Sequence, residues 1–106
     1  MPKYLGQCNY IGEGFKGLLK EGGTSRRAAI EKLIKSVGGT LEAFYYAFGD
    51  TDLYVIADLP DNVDMTAVAL TVSAMGSIAM KTTVLITPEE VDQAVKKTPL
   101  YRPPGQ

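Results

Sequence analysis

Residues 41–61, LEAFYYAFGDTDLYVIADLPD, constrain the fold of this chain more than any other stretch. Two runs rich in Phe, Tyr, Val and Ile flank the Gly49-Asp50-Thr51-Asp52 turn, and the second run stops at Pro60-Asp61. Aromatic and β-branched side chains favour strands, and Gly with Asp between such runs favours a short hairpin connection. The stretch predicts a hairpin at roughly 40–48 and 52–59.

On its N-terminal side, residues 3–10 (KYLGQCNY) predict a first strand, with Leu5, Gln7 and Asn9 on one face by the two-residue period. Gly12, Gly14 and Gly17 then leave a short helical segment around Phe15–Lys20, and Gly22-Gly23 is a joint. Thr24 or Ser25 is the expected cap of a helix reaching about Val37, with Ile30, Leu33, Ile34 and Val37 as its apolar stripe. Gly38-Gly39 stops it.

After the hairpin, Asn62 or Asp64 is the expected cap of a second main helix, which aligns Met65, Val68, Ala69, Val72 and Met75 and ends at Gly76. Residues 78–86 form a last strand. Thr87-Pro88-Glu89-Glu90 has the Thr, first-turn Pro and third-position Glu of a capped helix start, running to about Lys97.

This order predicts an α+β, ferredoxin-like βαββαβ fold: a four-stranded antiparallel sheet, both main helices on one face, and an extra short C-terminal helix. Residues 1–97 make one domain. Residues 98–106, broken by Pro99, Pro103 and Pro104, form an extended tail on the surface or on a neighbouring subunit.

Composition narrows the chemistry. A chain of 106 residues with net charge −1 fits one domain and carries no basic footprint for nucleic acid or an anionic membrane. Cys8 stands alone, which excludes an internal disulfide and fits a reducing, cytoplasmic home. The absence of histidine removes Ser-His and Cys-His nucleophilic catalysis and histidine-ligated metals. Glu89, Glu90 and Asp92 suit a helix dipole and make no metal-ligand pattern, so neither metal nor cofactor is expected. The start MPKYLGQ has no apolar signal core, and no window approaches a membrane span.

A sheet with helices on one side leaves the other side to water or to a partner. Alternation sends Leu53, Val55, Ala57 and Leu59 to the helices and Tyr54, Ile56 and Asp58 to the open face. Leu5, Gln7 and Asn9 join them from the first strand. Phe44, Tyr46 and Phe48 are expected there from the second, and Lys81, Thr83 and Leu85 from the fourth. So apolar a face wants a cover, and the simplest is the same face of a second copy. The candidate pocket between paired sheets is Gln7, Asn9, Phe44, Tyr46, Tyr54, Asp58, Lys81 and Thr83, with a small molecule as its occupant. Asp58 and Lys81 are expected to pair, while Cys8 faces the helices beside Tyr4 and Tyr10.

Two further motifs stand out. Gly12-Glu13-Gly14-Phe15-Lys16-Gly17 matches G-x-G-x-x-G, but Gly22-Gly23 interrupts the helix a dinucleotide fold needs. Thr24, Ser25, Arg26 and Arg27 combine hydroxyls, guanidinium groups and a helix start, a candidate anion site set against an ordinary cap.

The pattern KYLGQCNY…SRRAA…FYYAFGDTDLYVIADLPD…GSIAMKTTVLITPEE resembles the GYD-domain family over about residues 3–95. Gly49, Asp52, Pro60 and Asp61 match its Gly-x-Tyr-Asp turn and Pro-Asp strand end, with Gly14 and Arg27 as further points of similarity. Thr51 stands where the family has tyrosine. The resemblance implies a small bacterial or archaeal protein of the dimeric α/β-barrel superfamily, and it carries no catalytic residue. Three readings stay open: an oligomeric barrel that binds a small molecule; a cofactor-independent monooxygenase- or isomerase-like enzyme with Asp58 as base and Lys81 or a tyrosine as partner; and a structural assembly module whose pocket is filled by Phe44, Tyr46, Phe48 and Tyr54.

Overall fold

In the computed structural model, which describes residues 1–106, eight elements follow one another. They are β1 (Lys3–Tyr10), α1 (Gly14–Glu21), α2 (Gly23–Ser36), β2 (Thr40–Tyr46), β3 (Leu53–Asp58), α3 (Asn62–Ala74), β4 (Ile78–Leu85) and α4 (Pro88–Ala94). The sheet order is β2-β3-β1-β4 with every pair antiparallel. That is the ferredoxin-like arrangement, and the antiparallel neighbours of β1 leave no parallel unit for a dinucleotide.

Local chemistry sets the element ends. α2 stops in a Schellman turn: the Gly38 N–H donates to Lys35 O at 3.0 Å and the Gly39 N–H to Ile34 O at 3.0 Å. Gly38 sits at φ 84°, where a side chain is strained, so a glycine is required there. α4 begins as expected, with the full capping box between Thr87 and Glu90 and Pro in the first turn, but ends at Ala94 rather than Lys97. Two caps differ from expectation. α3 is capped by Asp61, whose carboxylate accepts the Asp64 N–H at 3.0 Å, because Asn62 and Asp64 already lie inside the helix. α2 is capped two or three residues early, at Gly22, without any side-chain cap, so Thr24 and Ser25 are helical residues.

The core lies between the sheet and the helices. Tyr4, Ile34, Ala57, Leu59, Met65 and Val68 form one cluster, and Cys8, Tyr10, Leu53 and Ile78 a second. Met80 and Val72 touch both. The stripe read from α3 holds for Met65 to Val72, whereas Met75 is 73% exposed at its frayed end. Gly14 opens α1 against the start of β4; a Cβ there would overlap the Ser77 carbonyl. The G-x-G-x-x-G match is thus explained by packing. Only 13 of 106 residues are buried, so much apolar surface of the single chain remains available to a partner.

One residue changes what each face carries. Leu41 opposes Ala57 and Ala43 opposes Ile56, so two residues of β2 span one of β3. This β-bulge inserts Glu42 and inverts the alternation of everything after it. Phe44 therefore opposes Val55, and Tyr46 opposes the buried Leu53. Both lie on the helix side, contrary to expectation. Tyr45 takes the open face instead, opposite Tyr54. Phe48 lies beyond the strand in the turn, fully exposed.

Candidate functional site

The open face can be read row by row across the sheet. Asp58, Lys3 and Leu85 make one row; Ala43, Ile56, Leu5 and Thr83 the next; Tyr45, Tyr54, Gln7 and Lys81 the third. Asn9 and Ala79 follow beside the β2–β3 turn. Gln7, Asn9, Tyr54, Asp58, Lys81 and Thr83 thus all occupy the face alternation gives them. Phe44 and Tyr46 do not, because of the bulge. They stack edge to face at 5.4 Å on the helix side, and the Tyr46 hydroxyl donates to Gly23 O at 3.2 Å.

The face has an apolar middle and two polar ends. At one end Lys3 Nζ donates to Glu42 at 2.8 Å and to both oxygens of Asp58 at 3.0 and 3.2 Å. These contacts, that from Glu42 foremost, raise the Lys3 pKa above the ordinary lysine value. Asp58 is therefore paired with Lys3 and not with Lys81, contrary to expectation. Four residues of strand separate the rows of Asp58 and Lys81, about 13 Å at the strand rise. A base at Asp58 has no direct help from an ammonium at Lys81, and its own lone pairs are engaged.

At the other end, Gln7, Asn9, Asp50, Thr51 and Lys81 surround a hollow of about 260 Å³. The turn that supplies Asp50 and Thr51 is held by Asp52. Its N–H donates to Cys8 O and to Asn9 Oδ1, both at 3.0 Å, and its carboxylate accepts the Tyr10 N–H at 3.0 Å. Asn9 Oδ1 is thereby occupied, which leaves the Asn9 amide as a donor. Thr51 Oγ1 lies 3.5 Å from Gln7 Oε1. Lys81 makes no ion pair, so the hollow holds a free ammonium together with the Asp50 carboxylate.

The candidate anion group is not assembled. Arg26 turns toward Glu21, at 3.5 Å, and lines a groove between α1, α2 and α3. Arg27 lines a separate cavity at the β2 edge with Glu31 and Phe44. Thr24 and Ser25 are exposed on α2. The groove itself, about 420 Å³, was not foreseen from sequence. It has apolar walls from Leu18, Ile30, Leu33 and Val72, with Glu13 and Glu21 among its polar lining. Periodicity marks those apolar residues as core but says nothing of the gap left between the helices.

Cys8 is 4% exposed, and burial pushes its thiol up to about 11. Burial, with Tyr46 adding to it, pushes Tyr10 up to about 12. Both stay protonated at neutral pH. Nowhere do three or more His, Cys, Asp or Glu side chains converge as metal ligands would. No helix is long and apolar enough to cross a membrane.

Comparison with curated proteins gave no match, and comparison with solved structures gave none. The GYD domain matches residues 4–95, a span that runs from β1 through α4 and includes the Asp52-pinned turn. With the ferredoxin-like sheet order and the Gly49–Asp52 turn seated against β1, that match establishes that the chain belongs to the GYD-domain family.

Proposed function

We propose that the protein acts as a homodimer whose open sheet faces close on one another around a small-molecule site. The observation that carries this reading is the pattern of the open face. An apolar middle of Leu5, Ile56 and Ala43 separates the Lys3–Asp58–Glu42 cluster from the polar hollow at Gln7, Asn9, Asp50, Thr51 and Lys81. An apolar centre with polar margins is the anatomy of a protein interface.

The bulge favours a space over a filled core. It takes Phe44 and Tyr46 off the face and leaves Tyr45 and Tyr54 as its aromatic rings. Phenol rings on the face beside a hollow that holds an amide, an ammonium and the Asp50 carboxylate suit a small planar molecule with both donor and acceptor groups.

Sedimentation velocity and native mass spectrometry test this on the intact chain and on Ile56→Asp. The chain is expected to be dimeric, or a multiple of dimers, and the variant to dissociate while keeping its circular dichroism. A folded variant of unchanged mass would remove the face from assembly. Lys81→Ala should keep the dimer and lose any bound small mass.

A further inference from the structure

The groove of about 420 Å³ between α1, α2 and α3 lies on the helix side of the sheet, so it is separate from the open face. α1 packs on α2, but neither helix makes a comparable contact with α3. Tyr10 and Ile78, both buried, close the groove on its sheet side. Its volume falls in the range of about 300–1,000 Å³ that small-molecule sites occupy.

Gly17 shows that the chain leaves this gap open along α1. It stands in the middle of the helix and lines the groove, and a Cβ built there would meet nothing within 4 Å. Its φ is not positive, so neither turn geometry nor close packing calls for glycine. A glycine inside a helix weakens it. Gly14 differs, because a side chain there would overlap the Ser77 carbonyl. What Gly17 provides is free space in the groove.

Charge selects the occupant. Glu13 is paired with Lys16 at 3.1 Å and Glu21 with Arg26 at 3.5 Å, so each carboxylate at the groove already has its cation. An apolar trough whose charges are paired favours an uncharged guest, since a buried charge without a partner is costly. Arg26 adds a direction. Its side chain is only 26% exposed, and its one hydrogen bond, to Glu21, is long at 3.5 Å. A guanidinium carries several N–H donors in a planar fork, and most of these are left for an acceptor.

We infer that this groove binds an uncharged, largely apolar small molecule whose carbonyl or ether oxygen accepts a hydrogen bond from Arg26. The apolar body of the ligand lies along Gly17, against Leu33 and Val72. This site belongs to each protomer and does not depend on the sheet-face dimer.

Prodan, an uncharged naphthyl ketone whose emission moves to the red when its carbonyl accepts a hydrogen bond, tests this on the full chain. Fluorescence titration should show saturable binding at one site per chain. Gly17→Leu puts a better helix former into the groove, and should weaken binding by about tenfold or more while the thermal midpoint does not fall. Thr71→Phe narrows the same groove from α3 and should also weaken binding. Arg26→Met should bind several-fold more weakly and shift the emission of the bound dye to the blue. No saturable binding, or binding that survives both filling variants, would overturn the site. Unchanged emission in Arg26→Met would overturn the acceptor contact. Ile56→Asp and Lys81→Ala should leave prodan binding as it is. Loss in Lys81→Ala with retention in Gly17→Leu would put the dye on the open sheet face and overturn the groove, so the two sites fail separately.

Discussion

The carboxylate of Asp52 accepts the backbone N–H of Tyr10 at 3.0 Å, across 42 residues of chain. With the Asp52 N–H bonded to Cys8 O and Asn9 Oδ1, this ties the β2–β3 turn to the end of the central strand. The aspartate of the family turn has a structural task here: it fixes the wall of the hollow. Hydrogen bonds to a charged group are worth about 1.5–3 kcal/mol. Asp52→Ala should lower stability by about that amount in urea unfolding, and should blur the turn more than the core. Unaltered unfolding would mean that the turn holds itself.

The bulge makes a sharp contrast between neighbours. Phe44 packs against the second core cluster, whereas Tyr45 is 71% exposed. Phe44→Ala should cost roughly 2–3 kcal/mol, somewhat below the range for a fully buried ring. Tyr45→Ala should leave the unfolding free energy of the protomer within about 0.5 kcal/mol. In the proposed dimer its effect falls on association, read by sedimentation. The reverse ranking would put the bulge elsewhere.

Gly6 lies mid-strand on the helix side, beside an apolar gap of about 50 Å³. A Cβ there would meet Met80 Sδ at 3.5 Å and Val55 Cβ at 3.8 Å, ordinary contact distances. Gly6→Ala should therefore stabilise by about 0.5–1 kcal/mol, through a stiffer unfolded chain and a filled gap. Thermal unfolding checks it. A lower midpoint would show that the strand cannot accept the methyl group.

Alkali should weaken the fold. Burial holds the Cys8 and Tyr10 protons to about 11 and about 12, above their values of 9.0 and 10.0 in a free chain. The unfolded chain loses these protons first as pH rises, so it is favoured. Stability should be unaffected by these groups below about pH 9 and fall through pH 9–12. Cys8→Ser should remove the lower part of that decline. Native Cys8 should also resist thiol reagents at neutral pH until the chain is unfolded.

Thr51, which stands where the resemblance puts the family's tyrosine, borders the hollow near Gln7. Thr51→Tyr should fill that space, leaving the fold and subunit mass intact while displacing any bound small molecule. Retention of the bound mass, measured by native mass spectrometry, would place the ligand elsewhere.

Much of this architecture was legible in sequence because apolar period and turn chemistry agree. Thr87-Pro88-Glu90 announces its helix, and Leu53 to Leu59 alternate cleanly between faces. Phe44-Tyr45-Tyr46 does not: three successive aromatics satisfy either phase, so nothing local reveals the extra residue at Glu42. The pairing of Asp58 with Lys3 was missed for a related reason. Opposite charges across a sheet are chosen by strand register, and Lys81 and Lys3 differ only in which row they occupy. The groove between α1, α2 and α3 depends on how three helices sit on one another, which residue patterns do not encode.

Glu42 makes this sheet sensitive to chain length rather than to residue identity. Deleting it would restore simple alternation, turn Phe44 and Tyr46 outward and draw Tyr45 in, with β3 unchanged as the template. A relative one residue shorter at this point would present two rings where this chain presents one. Insertion or loss of a single codon would thus close or open the space in the proposed dimer while the sequence around it stayed the same.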